Sequence, residues 1–181
     1  PTDVVFAGTP TARAFVAVSQ EDAIKIYDPN NLGAAPAVVP VFGSDPQALA
    51  VSPDRLKVYA AVFESGNETT IAGFQDVLDH GGLPPPNPPD RPDVGLILKR
   101  QNNVWVDEAG RNYNDTHPYT LPDHDVVVLD ANAPVPVPAY FDHLGTLNFN
   151  IGVHPLTGRV YVSHTEALNH IRFEPALRGQ Q

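Results

Sequence analysis

Cysteine is absent from the chain. That excludes structural disulfides, thiolate-bound zinc, iron–sulfur clusters and C-x-x-C-H haem attachment within it. Basic residues are scarce: 11 Lys and Arg stand against 21 Asp and Glu, a formal net charge of -10. Such a chain repels phosphate backbones and anionic lipid, so nucleic acid is not an expected partner. No apolar run approaches the roughly 18 residues that a membrane-spanning helix needs, so no membrane span is expected. The chain opens on Pro1 without a signal-peptide pattern, as a processed or excised chain would. No G-x-S-x-G elbow, phosphate-binding loop or dinucleotide fingerprint occurs, which removes the usual nucleophile and phosphate machinery.

What is present points to strands. The 20 prolines lie mostly between short apolar runs, and 42% of the residues are hydrophobic. That is the pattern of an all-β chain with a real core, punctuated by turns. A repeat is legible. Gly43, Val51-Ser52-Pro53 and Lys57-Val58-Tyr59-Ala60 recur 102 positions later as Gly145, Val153-His154-Pro155 and Arg159-Val160-Tyr161-Val162. The strand Ile24-Lys25-Ile26-Tyr27-Asp28 recurs at the same offset as Val126-Val127-Val128-Leu129-Asp130. A third, partial copy aligns Arg13-Ala14-Phe15-Val16 with Arg159-Val160-Tyr161-Val162 and Tyr27-Asp28-Pro29 with Phe173-Glu174-Pro175. The unit length is 44 residues, that of a four-stranded propeller blade. Gly43 and Gly145 are expected to permit positive-φ corners before each inner strand, and Pro53 and Pro155 to open tight hairpins.

These residues, above all the run Asp45 to Ala60 followed later by Val126-Val127-Val128-Leu129-Asp130, resemble the YVTN (YncE-like) β-propeller repeat, a relative of the lactonase-like propellers. The likeness covers about 120 residues and departs from the repeat where Leu147-Asn148 replaces Asp45-Pro46 and where Arg55-Leu56 lacks the turn glycine that Gly158 supplies. It implies an incomplete β-propeller of antiparallel four-stranded blades: a partial blade over 1–40, a blade over 41–140 carrying an insertion at about 65–123, and a partial blade over 141–181. It also implies an extracytoplasmic location (periplasmic, cell-surface or secreted), with the rest of the propeller supplied by the same polypeptide or by other subunits. The implied function is a non-catalytic scaffold or binding module. The alternatives are a metal-dependent lactonase-like hydrolase and the propeller module of a cytochrome-containing redox protein.

The insertion leaves from a loop on the face where propellers carry ligands. Within it, Thr69 to Phe74 reads as a strand, Val94 to Leu98 and Val104 to Val106 as a hairpin, and Leu83 to Pro92 as extended polyproline chain. Trp105 with Pro84, Pro85 and Pro86 forms either a docking surface for a protein partner or a packed cap. Loops at the axial mouth nominate Asp45, Asp142 and His143 as ligand-facing. His164, Glu166 and His170 would make a metal site if Thr165 to Asn169 formed a hairpin loop. The turn Asp107 to Asp115 is either a calcium-binding loop or a plain hairpin turn. No cofactor is required by this reading; Ca²⁺ or another divalent metal is the alternative. Asn67 and Asn114 begin N-x-T sequons.

Overall fold

The computed structural model describes residues 1–84, 93–121 and 123–166. They fold as two compact units, residues 1–67 with 123–166, and residues 68–121. Strands predominate and all pair antiparallel, so the chain is all-β.

In the first unit, β1 (Asp3–Ala7), β2 (Arg13–Val18), β3 (Ala23–Tyr27) and β4 (Ala37–Pro40) form a four-stranded meander in chain order. The sequence reading made this segment a partial blade. It missed β1, whose five residues lack the repeat's Val-x-Pro signature but alternate well enough to pair with β2 from Asp3↔Ala17 to Ala7↔Arg13. The next strands are β5 (Ser44–Val51) and β6 (Lys57–Glu64). Numbering the strands of the second unit β7 to β9, the first unit resumes with β10 (His124–Asp130), β11 (Ala139–Asp142), β12 (Leu147–Val153) and β13 (Val160–Thr165). β5, β6, β10 and β11 are successive neighbours, while β12 touches β6 at one register pair, Leu147↔Glu64, and otherwise pairs with β13.

The β5–β6–β10–β11 layer is buried on both faces. Leu49, Val58, Ala60, Val62, Val127 and Leu129 pack with Phe15, Ile24, Ile26 and Val39 of the first sheet. From the opposite face, Ala48, Ala50, Tyr59, Ala61 and Val126 pack against Ile151, Val153, Val160 and Val162 of β12 and β13. This explains the near-continuous apolar runs Val58 to Phe63 and Val126 to Leu129, since a strand covered on both sides has no solvent face to keep polar.

The repeat is visible in the backbone. Register shifts fall between Pro46 and Ala48 on β5 and between Asn148 and Asn150 on β12, positions 102 apart. The expected positive-φ corner is present at Gly43, φ 157°, and not at Gly145, and both glycines are also required for a reason the sequence did not reveal. A Cβ at Gly43 would lie 2.7 Å from Val62 Cγ1, and one at Gly145 would collide with the His164 ring. Val62 and His164 are themselves 102 apart, so each glycine is the floor on which the same second-strand side chain rests.

The two hairpin turns differ. Gly158 takes φ 70°, whereas the other copy places Arg55 at φ 63°. A side chain in the left-handed region costs about 1–2 kcal/mol, and glycine's extra unfolded-state freedom offsets about 0.5–1 kcal/mol of any relief. Arg55 is exposed and joins the turn through its backbone, with N donating to Ser52 O at 2.8 Å. Arg55→Gly is therefore expected to stabilise the first unit by about 0.5–1 kcal/mol, read as a higher urea midpoint at unchanged slope.

The second unit holds β7 (Thr69–Ala72), helix α1 (Phe74–Asp79), β8 (Leu96–Gln101) and β9 (Val104–Val106), with the sheet in the order β7-β8-β9. The expected hairpin is present, turning through Asn102 and Asn103 at φ 50° and 66°, the left-handed pair that asparagine tolerates best. The six-residue helix was not anticipated. Only its Val77 is buried, beside Ala72, Leu83, Leu96, Leu98, Trp105 and Tyr113, so packing and not helical propensity holds it.

His80, which caps α1, stacks on Tyr113 with ring centroids 4.0 Å apart. Its Nδ1 lies 2.7 Å from Asp76 O and its Nε2 3.0 Å from Asp115 Oδ1. Neutral imidazole has one N–H, so making both bonds at once as donor requires the imidazolium. The Asp76 carbonyl first, and then Asp115, raise the His80 pKa, while the bond from His80 lowers that of Asp115. The His80 contribution is complete below its unfolded value of about 6.5 and is lost as pH rises through the raised folded value. Asp115 contributes above about 3.9 and its share is lost as pH falls through its lowered value. Thermal melts followed by Trp105 fluorescence are expected to show a lower midpoint at pH 8.5 than at pH 5.5. In His80→Gln that difference shrinks.

Candidate functional site

One end of the first unit gathers the loop before β5, the end of β6, the start of β10 and the loop from β11 to β12. Its anchor is Asp125, a fully buried residue at the register shift near the start of β10. The carboxylate accepts from Ser65 Oγ at 2.7 Å, Asn148 Nδ2 at 2.9 Å and Leu144 N at 2.8 Å, with Gly145 N at 3.4 Å. A buried carboxylate is tolerable only with its lone pairs filled, and here four donors converge on it. Asn148 is the residue that departs from the repeat, standing where the other copy has Pro46. Proline has no side-chain donor, so the substitution supplies one of Asp125's partners. In the preceding repeat Asp22 does similar work from the loop before β3, its Oδ1 accepting from Asp45 N at 2.9 Å.

Around this anchor lie two Asp–His pairs built from adjacent residues. His124 Nδ1 is 2.8 Å from Asp142 Oδ1, and His143 Nδ1 is 2.5 Å from Asp123 Oδ2. The His124 ring stacks on Tyr140 at 4.1 Å and meets the exposed Phe42 at 5.7 Å. The Tyr140 hydroxyl accepts from Phe42 N at 3.1 Å, tying the loop before β5 to β11. His143 is exposed and sits at φ 61°. Each carboxylate fixes its imidazole with Nδ1 toward the acid and orients the ring, the arrangement that general bases and metal ligands share. Neither pair is joined to a serine nucleophile through Ser65, whose hydroxyl is committed to Asp125.

Of the three residues nominated as ligand-facing, Asp142 and His143 are neighbours here and each pairs with the head of β10. Asp45 belongs to the same end, at φ 57°, but is held by Asp22. Sequence reasoning missed Asp123, His124, Asp125 and Tyr140. An Asp-His-Asp run entering an apolar strand was the available signal, since charge there must find partners.

The other candidates fall elsewhere. Thr165 ends β13, opposite Leu147, so it is strand and not the start of a hairpin loop; His164 pairs with Asn148 and covers Gly145. Glu166 follows β13, and His170 lies outside the described residues. Trp105 is fully buried and its Nε1 donates to Tyr119 O at 2.8 Å, while Pro84 is also buried. Trp105 is therefore part of the core of the second unit. Pro85 and Pro86 lie outside the described residues. In the turn after β9, Asp107 accepts from Ala109 N, Arg111 N, Arg111 Nε and Tyr113 Oη, so the cation beside it is Arg111. Arg111 Nη2 lies 2.6 Å from the same Oδ2 but off line for a hydrogen bond. Burial first, then the Asp107 charge, push the Tyr113 hydroxyl up to about 12. Of the sequons, Asn67 is buried, and Asn114 accepts from Trp105 N at 2.9 Å.

No protein-family model matches the sequence, and no curated protein matches it.

Asp125→Ala is expected to cost the first unit about 2–4 kcal/mol, because it strands Asn148 and the Leu144 amide away from water. Hydrogen exchange should show the Leu144 and Gly145 amides losing protection first.

Proposed function

We propose that the chain is a non-catalytic binding module of β-propeller type. Its stacked antiparallel sheets act as scaffold for a partner-binding end made of Phe42, Asp45, His124, Tyr140, Asp142 and His143. The observation that carries this reading is the Asp125 clasp. It spends a buried carboxylate and four donors on fixing a surface loop, beside which Phe42, Phe141 and Leu144 are exposed. Rigid loops bearing exposed aromatic and charged groups are what recognition uses, because little entropy is lost on binding. The 102-residue repeat supports the propeller reading, as do its matched register shifts and its matched glycine contacts. The rest of the ring would come from the same polypeptide or from other subunits in an extracytoplasmic setting. The net charge of -10 argues against a nucleic-acid partner.

A second reading, a metal-dependent lactonase-like hydrolase, is favoured by one observation. A carboxylate at Nδ1, as Asp123 stands to His143, is the usual support of a metal-ligating imidazole. The two readings separate in one experiment. The chain and its His143→Ala variant are assayed for lactone hydrolysis with added Ca²⁺, Mn²⁺ or Zn²⁺, and the chain and a Phe42→Ala/His143→Ala variant are compared in partner cross-linking. The binding-module reading expects no metal-dependent turnover and loss of cross-linking at unchanged melting temperature. Metal-dependent hydrolysis that disappears in His143→Ala would overturn it.

A further inference from the structure

Charge is segregated along the strands of the first unit. At the clasped end, Asp22 precedes β3, Asp45 lies at the start of β5, Glu64 ends β6, Asp123 and Asp125 lie at the head of β10, and Asp142 ends β11. The bond from Asp45 N to Asp22 Oδ1 joins the two sheets there. The cations stand at the other end. Arg13 opens β2, Arg55 and Lys57 lie on the turn into β6, and Arg159 lies on the turn into β13. Gly8 N donating to Arg55 O, and Arg13 Nη2 donating to Ala131 O, tie the layers at that end. Lys25, in the middle of β3, is paired with Glu21 at 2.7 Å. Asp125 is held by a hydroxyl, an amide side chain and a backbone N–H, none of which carries a charge to offset its own. Among the described residues of the first unit, no Lys or Arg balances the carboxylates of the clasped end.

The same end carries a platform of rings. Phe42 is 61% exposed, and its ring centroid lies 5.7 Å from that of His124, which stacks on Tyr140 at 4.1 Å. Asp142, with a side chain 43% exposed, is fixed at the edge of this stack by its bond to His124. The bond from Phe42 N to Tyr140 Oη holds the two outer members together. An aromatic face attracts a cation placed within about 6 Å of its centroid, and a carboxylate beside the ring adds direct Coulomb attraction. An anionic group would be repelled by both. We propose that this platform takes a Lys or Arg side chain from a basic segment of a protein partner. The inference rests on the binding-module reading and gives the partner its chemistry. Charge complementarity selects it: a neutral apolar segment would use Phe42 but leave Asp45, Glu64 and Asp142 unanswered. The segregation also orients the approach, since a basic segment is drawn to the clasped end and repelled by Arg55, Lys57 and Arg159 at the other.

Fluorescence anisotropy of labelled decapeptides of alternating Gly and Arg, Gly and Gln, or Gly and Glu, titrated with the full chain, tests this. Only the Arg peptide is expected to bind, about ten-fold more weakly at about 300 mM salt than at about 50 mM. Phe42→Ala and Asp142→Asn are each expected to weaken it about ten-fold, with melting curves establishing that each variant is folded. Asp130→Asn removes one formal charge from the opposite end and should change it by less than about two-fold. Equal weakening in Asp130→Asn, or binding undisturbed by Phe42→Ala, would mean attraction to the overall charge of the chain and overturns the proposal. Equal binding of the Gln peptide, lost in Phe42→Ala, overturns it while leaving the binding-module reading standing. Failure of every peptide to bind also overturns it, and the binding-module reading falls with it if metal-dependent hydrolysis that disappears in His143→Ala is found as well.

Discussion

A β-sheet whose two faces are both apolar has to be covered twice, and the rest of the first unit follows from that constraint. β6 and β10 put Val58, Ala60, Val62, Val127 and Leu129 toward one neighbour and Tyr59, Ala61 and Val126 toward the other. Area removed from water is the largest favourable contribution to folding, at about 25 cal/mol per Å². A middle layer of this composition is therefore stable only between two others.

Stacking alone does not fix loops. Polar residues at the sheet ends do so, through hydrogen bonds to the chain entering the next layer. Asp22 and Asp125 both tie the chain entering one layer to a strand of the layer before it, but Asp125 is buried more deeply and is held by more donors. The repeat's departure at Asn148 is what completes it. An asparagine in place of a proline looks like decay of a pattern, yet here it closes a hydrogen-bond network beside the two Asp–His pairs. The second unit relies on the same device, with Asp107 enclosed by Arg111, Tyr113 and two backbone amides.

The strands of the repeat were legible because their signal is local. β-branched runs, bounding turn residues and a constant offset placed β2, β3, β5, β6, β10, β12 and β13, and the β8–β9 hairpin followed from Asn102-Asn103. β1 and α1 escaped, the first because it lacks the repeat's markers and the second because a six-residue helix with one buried side chain has no periodicity to read. Of the candidate site, Asp45, Asp142 and His143 were found from loop position. Asp123, His124 and Tyr140 were not, since pairing across strands β10 and β11 is invisible until the register is known.

The sequence by itself determined the antiparallel all-β character and the 102-residue offset of its repeated strands, because spacing and side-chain class are properties of the chain. It also marked Gly43 and Gly145 as special; the expected positive-φ corner is found at Gly43 and not at Gly145. Only the tertiary structure decided that those glycines are floors for Val62 and His164 and that Trp105 is core. It alone decided that Asp125 is a clasp. Each of these depends on which side chain arrives from a distant strand, and that is set by packing.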